Sequence, residues 1–160
     1  MKAAVLTVSD GVHAGVREDR SGDLLEELLA VDGFETVRRV VPDDVPAIAA
    51  AISELAASVS LLVTTGGTGF APRDVTPEAT AGVLERAAPG VAEAIRADAR
   101  SRTPHALLSR GTAGLIGATL VVNLPGSPGG CRDGYAVIRT AVRHGLELAA
   151  GDAASAHRQT

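Results

Sequence analysis

The sequence has no tryptophan, one tyrosine (Tyr135) and two phenylalanines (Phe34 and Phe70), so aromatics make up only 2% of it. A hydrophobic interior must then be built from Ala, Val, Leu and Ile. The aromatic faces on which single-stranded nucleic acids stack their bases are missing too. Lys2 is the only lysine and the net charge is −4, which leaves no basic face for a nucleic-acid partner. Cys131 is the sole cysteine, so neither an internal disulfide nor a cysteine-built zinc site can form, and a reducing compartment fits. The first apolar run stops at Ser9 and Asp10, too early for a signal peptide or a membrane span. Later apolar stretches are broken by Gly, Pro or charge. These features predict a soluble, cytoplasmic protein with no membrane partner.

What is present is 46% hydrophobic and 21% charged, the balance of a folded chain rather than a disordered one. The length suits one domain over residues 1–150, followed by a small, polar tail over residues 151–160. Ala3 to Val8 reads as a buried first strand, and Ser9 to Gly22 as a loop. Ser21 or Asp23 is expected to cap a helix over Leu24 to Val31. Phe34 to Val41 reads as a second strand, with Arg38 and Arg39 on a solvated edge. An aspartate of Pro42-Asp43-Asp44 can cap a helix from Pro46 to Ala57. Val59 to Thr65 has the continuous apolar character of a strand buried in a parallel sheet. Thr76-Pro77-Glu78 carries the marks of a helix start with a threonine cap. Val91 to Ser101 reads as another helix after a Pro89-Gly90 break. Ala106 to Leu108 and Thr119 to Leu124 read as strands whose short connection allows an antiparallel pair, and a helix from Arg132 to Ala149 closes the domain. Strands alternating with helices predict an α/β sandwich with helices on both faces of a mixed sheet.

In such sheets ligands settle at the carboxyl ends of the strands. Four loops are expected there, carrying Ser9-Asp10, Pro42-Asp43-Asp44, Thr64 to Asp74 and Asn123 to Gly130. Thr65-Gly66-Gly67-Thr68-Gly69 reads either as an anion-binding nest of backbone amides or as a tight turn. It is not a Walker loop, which needs Gly-Lys-Ser/Thr, and Pro72 breaks the dinucleotide fingerprint. Asp74 reads as a helix-start residue or as a ligand of Mg²⁺, and Asp43 as a cap or a second ligand. Two carboxylates beside a glycine nest suit metal-assisted phosphoryl or nucleotidyl transfer, with arginine supplying the cation that lysine cannot. His13, His105, His144 and His157 have no metal-ligand spacing. Cys131 reads as a small buried or helix-start residue. Ser9 lacks the frame of a hydrolase nucleophile.

The run Thr64 to Thr80 (TTGGTGFAPRDVTPEAT) resembles the signature of the molybdenum-cofactor proteins of the MogA/MoaB type, and is similar to molybdopterin adenylyltransferases and the G domain of gephyrin. Thr7-Val8-Ser9-Asp10, Asp19-Arg20-Ser21-Gly22, Val41-Pro42-Asp43, Leu108-Ser109-Arg110 and Asn123-Leu124-Pro125-Gly126-Ser127 follow in the family's order. The resemblance covers residues 3–149. It implies a three-layer α/β/α sandwich with a mostly parallel mixed sheet, assembled as a homotrimer. It also implies transfer of AMP from Mg-ATP to molybdopterin with release of pyrophosphate, the product passing to a molybdenum-insertion enzyme. By that resemblance Asp43 and Asp74 are the catalytic, Mg²⁺-holding pair. Ser9, Asp10, Ser21, Gly22, Asp23 and the Thr65, Gly66, Gly67, Thr68, Gly69 loop line the nucleotide and phosphate site. Ser109, Arg110, Asn123, Pro125, Gly126 and Ser127 form the pterin wall.

One departure stands out. Many members of the family it resembles have a basic residue within a Gly-Ile-Arg/Lys-Gly segment, where this chain reads Gly114-Leu115-Ile116-Gly117. If that side chain helps hold an anion, either Arg110 or Arg73 must serve in its place or binding is weaker. Retention of Arg73-Asp74-Val75-Thr76-Pro77 favours the adenylyltransferase branch. The alternatives are a non-catalytic molybdopterin carrier of the MoaB type and a CinA-type nucleotide hydrolase.

Overall fold

A computed structural model describes residues 1–151; the expected tail over 152–160, with His157, lies outside the described residues. Six strands form one sheet: β1 (Lys2–Val8), β2 (Glu35–Val41), β3 (Leu61–Thr65), β4 (Arg86–Ala87), β5 (Ala113–Ile116) and β6 (Thr119–Leu124). Their spatial order is β2-β1-β3-β6-β5-β4. The first four in that order are parallel, and β5 pairs antiparallel with both β6 and β4. The mostly parallel mixed sheet is as expected.

Successive residues of a strand point to opposite faces, and β1 from Ala3 to Val8 and the whole of β3 are buried because both faces are covered. Ala3, Val5, Leu61 and Val63 face helices α2 (Arg20–Val31), α5 (Pro89–Arg100) and α6 (Pro128–Ala149). Ala4, Leu6, Val8 and Leu62 face α3 (Val45–Ala56) and α4 (Thr76–Ala81). The packing is aliphatic throughout, apart from Phe34 at its margin and Tyr135. The Tyr135 hydroxyl donates to Asp32 Oδ2 at 2.8 Å, tying α6 to the end of α2. Among the described residues no helix is long and apolar enough to cross a membrane.

Several boundaries differ from the sequence reading, each for a local reason. The Ser9 to Gly22 segment is not all loop: α1 (Asp10–His13) follows Ser9, whose hydroxyl accepts from the Val12 amide. Asp19, not Ser21 or Asp23, caps α2 by accepting from the Gly22 amide. Asp44 caps α3, which leaves Asp43 free of that duty. Thr76 does not cap α4; its hydroxyl donates instead to Gly66 O at 2.9 Å. Pro89-Gly90 opens α5 rather than interrupting, since proline suits a helix's first turn. Ala106 to Leu108 is no strand but part of a 3₁₀ turn over Pro104–Leu108, and the strand beside β6 is Ala113–Ile116. Ser127 caps α6, so that helix starts at Pro128.

Candidate functional site

From β1 the chain passes to β2 on one side of the sheet, and from β3 it passes to the opposite side, where β4, β5 and β6 lie. A crevice therefore opens at the carboxyl ends of β1 and β3, where the winding reverses. The glycine loop emerges there. Gly66 and Gly67 have φ of 100° and 66°, a region that side-chain-bearing residues seldom occupy. A Cβ on Gly66 would stand 2.2 Å from Val8 O, and one on Gly67 would stand 2.4 Å from Thr76 Oγ1. Among the described residues the amides of Gly67, Thr68 and Gly69 donate no hydrogen bond, so the loop offers unspent donors.

Two cavities meet across this loop. The first, ≈ 610 Å³, is bounded by Ser9, Ser21, Asp43, Thr65, Gly66 and Asp74, with Arg17, Glu18, Asp19 and Arg20 at its rim. The second, ≈ 670 Å³, is bounded by Thr68, Gly69, Ser109, Pro125 and Ser127, and by residues of α5 and of the 3₁₀ turn, including Arg102 and His105. Gly67, Asp74 and Gly126 border both. All four loops expected at the strand ends thus surround one divided cleft.

Asp43 is half-buried and held by a reciprocal pair of bonds. Its amide donates to Asp10 Oδ1 at 3.0 Å, and Asp43 Oδ2 accepts from the Asp10 amide at 2.8 Å. Burial pushes the Asp43 carboxyl above the usual aspartate range, reinforced by the charges of Asp10 and Asp74. Asp10 goes the other way, because Arg73 donates to both its oxygens at 2.8 and 2.9 Å. Asp74 Oδ2 accepts from the Ala71 amide at 3.0 Å. Two carboxylates facing one cavity beside free amides match a Mg²⁺ ion that completes its shell with phosphate oxygens and water. They do not form a self-sufficient metal cage: among the described residues no group of three or more His, Cys, Asp or Glu is placed to hold a metal.

Other sequence candidates take different places. Arg110 is a clasp rather than a free cation. Nε donates to Gly69 O at 2.8 Å, Nη2 to Asp74 O at 2.6 Å, and Nη1 pairs with Glu78. Asn123 is 4% exposed, and its amide nitrogen donates to Thr64 and Thr80 hydroxyls at 2.9 and 3.0 Å. The expected pterin contact from its side chain is corrected: Asn123 stitches β6 to β3 and α4. Gly22 lies buried against the Asp19 carboxylate and the Arg38 guanidinium, where a Cβ would fall 2.2 and 2.6 Å from their atoms. Its role is to admit that pair rather than to line the cleft. Asp23 pairs with the same arginine. Arg38 is accordingly not a solvated edge. It bridges β2 to Asp19, Asp23 and Glu26, while Asp19 also accepts from the Thr7 hydroxyl at 2.7 Å.

The departure at Gly114 to Gly117 loses its force. In the β3–β6 register Thr65 pairs with Leu124 at the cleft and Leu61 with Leu120 at the far edge. The β5–β6 turn at Gly117 therefore sits at the opposite end of the sheet, and Arg73 and Arg110 need not replace a missing cation. The sequence reading missed the cleft-lining Arg17 and the contribution of α5 and the 3₁₀ turn. No motif marked the first, and the turn had the composition of a strand.

The family described as "Probable molybdopterin binding domain" matches residues 4–144. The molybdopterin adenylyltransferase of Helicobacter pylori is 35% identical over 92% of this chain and 87% of its own length. The Mog protein of Mycobacterium ulcerans superposes with a TM-score of 0.87 at 41% identity, covering 92% of this chain and 98% of that one. The MoaB enzyme of Thermus thermophilus does so at 0.86 and 42%, covering 94% and 96%. The chain spans only 22% to 49% of three longer curated relatives. By motif, fold and the matched length, the chain belongs to the molybdopterin-binding domain family.

Proposed function

We propose that this chain is a molybdopterin adenylyltransferase, with ATP in the first cavity and molybdopterin in the second. The observation that carries the reading is the pair Asp43 and Asp74, which border one cavity together with Gly67, whose amide is unspent and whose loop continues into the second cavity with the unspent amides of Thr68 and Gly69. A pure carrier gains nothing from two carboxylates beside phosphates. The cavities meet at Gly67, Asp74 and Gly126, so a nucleotide and a pterin lying in them bring their phosphates together at that shared wall.

In this reading a terminal phosphate oxygen of molybdopterin attacks the α-phosphorus of ATP. The bond from that phosphorus to the β-bridging oxygen breaks, and pyrophosphate leaves with the electron pair. The Gly67, Thr68 and Gly69 amides face the oxygens where charge builds, at no cost of reorganisation. The N-terminus of α6 behind Ser127 adds a favourable dipole. Asp43 and Asp74 would hold Mg²⁺, which neutralises phosphate charge when bound. The Asp10–Arg73 pair holds the Asp43 backbone in place. One such domain over residues 1–150 would assemble as a homotrimer and pass its product to a molybdenum-insertion enzyme.

The test is release of pyrophosphate and formation of adenylylated molybdopterin by the purified protein with molybdopterin, ATP and Mg²⁺. Asp74→Asn keeps an oxygen for the Ala71 amide, so the fold should persist while turnover falls on the order of 10²–10³-fold. Full activity in that variant would refute the proposed role of Asp74. Pterin binding with no nucleotide-dependent product would identify a carrier.

A further inference from the structure

A bound triphosphate brings several negative charges to a cleft that already holds Asp43 and Asp74, and neighbouring cations are largely committed. Arg73 is bidentate on Asp10, and Arg110 has all three nitrogens engaged. Arg38 neutralises Asp19 on the cavity wall, and Arg20 pairs with Glu18 at the rim. Lys2 is at the other end of β1, paired with Glu35. Arg17 differs. It borders the first cavity and forms no ion pair among the described residues.

Arg17 is also placed by its backbone. Its amide donates to Gly11 O at 3.2 Å, and its stem lies across the open face of Gly11. A Cβ at Gly11 would be 3.4 Å from Arg17 Cβ and 3.7 Å from Nε. The side chain therefore lies against Gly11 of α1, and Ser9 and Val12 on either side of Gly11 in the chain border the same cavity as Arg17. Arg17 does not border the second cavity, so it is not directed at the pterin.

We propose that Arg17 is a substrate-binding residue that grips the β- and γ-phosphates of the nucleotide and then the pyrophosphate that leaves. This rests on the adenylyltransferase reading. The α-phosphate belongs at the wall shared by the two cavities, beside Gly67 and Asp74, which directs the distal phosphates towards the rim where Arg17 stands. A guanidinium presents parallel donors matched to phosphate oxygens and stays charged at every working pH.

The experiment measures binding of ATP, pyrophosphate and AMP, each with Mg²⁺, to wild type and to Arg17→Ala, Arg17→Lys and Arg20→Ala, with thermal melts to verify folding. Arg17→Ala should weaken ATP and pyrophosphate by about 10- to 100-fold, the weight of a charge-assisted hydrogen bond, and leave AMP unchanged. Arg17→Lys should recover part of the loss, and Arg20→Ala should change ATP affinity less than about twofold, as expected of an exposed paired residue. ATP binding as in wild type by Arg17→Ala, an equal loss for AMP, or the loss appearing in Arg20→Ala instead would overturn the assignment while leaving the adenylyltransferase reading intact. Wild type that binds molybdopterin but not ATP would overturn both.

Discussion

Replacing Gly66 by alanine adds one methyl group at the turn where β3 gives way to the cleft. Two costs follow. A φ of 100° is outside the comfortable range of an alanine, at about 1–3 kcal/mol. The new Cβ would also sit 2.2 Å from Val8 O, a main-chain atom at the end of β1. β1 is hydrogen-bonded to β2 and β3 on its two sides, so that oxygen cannot swing away as a side chain would. Overpacking against fixed structure costs about 1–3 kcal/mol. The sum, about 2–6 kcal/mol, is a large share of the roughly 5–15 kcal/mol that holds a domain together. At a urea slope of about 2 kcal/mol/M it lowers the unfolding midpoint by about 1–3 M. The matching control is Gly145→Ala, the same change inside α6, where a Cβ meets nothing within 4 Å. Alanine there should stabilise by about 0.5–1 kcal/mol. Urea titrations followed by circular dichroism read both variants. Equal midpoints for Gly66→Ala and wild type would refute the claim that glycine is required by this close approach.

The clasp made by Arg110 predicts that Arg110→Ala loosens the glycine loop and Asp74 together. Its expected signature is a fall in kcat larger than any rise in KM, with about 1–3 kcal/mol lost in thermal stability. Arg110→Lys should not restore turnover, since an ammonium cannot span Gly69 O, Asp74 O and Glu78 as a planar fork does; full kcat in either variant would contradict the clasp. Cys131 is fully buried and its thiol is pushed up to about 11 by that burial. A thiol reagent at pH 8 should label it only after unfolding, and prompt labelling of the native protein would be the contrary result. Because the folded value exceeds the unfolded one of about 8.5, the stability this thiol contributes is complete below about pH 8.5 and lost as pH rises through about 11. Melting temperatures across that window should therefore fall more steeply for wild type than for Cys131→Ala.

The helices and strands with strong periodicity were legible from residues alone. Val59 to Thr65 announces a strand covered on both faces, and Ile48, Ala51, Ile52 and Leu55 announce the buried face of α3. Boundaries failed where a polar side chain had two possible partners. Thr76 resembles a cap in one dimension, but in three it meets the carbonyl of Gly66. Asn123 resembles a ligand because it sits in a motif, yet its amide is consumed by two hydroxyls in the interior. Arg38 looks like solvent-facing charge until Asp19 arrives beside it from another element.

Composition and local pattern determined the class of fold, the aliphatic character of its packing and the residues able to do phosphate chemistry. These depend on what each stretch of chain prefers and on which side chains exist at all. Tertiary structure decided which of those residues share a cavity, which arginines are already spent on neighbouring acids, and that the Gly114 to Gly117 segment lies at the far edge of the sheet. Those outcomes follow from strand order and register, which bring together groups dozens of residues apart, such as Asp10 with Arg73 and Thr65 with Pro125. Neighbouring sequence carries no record of that proximity.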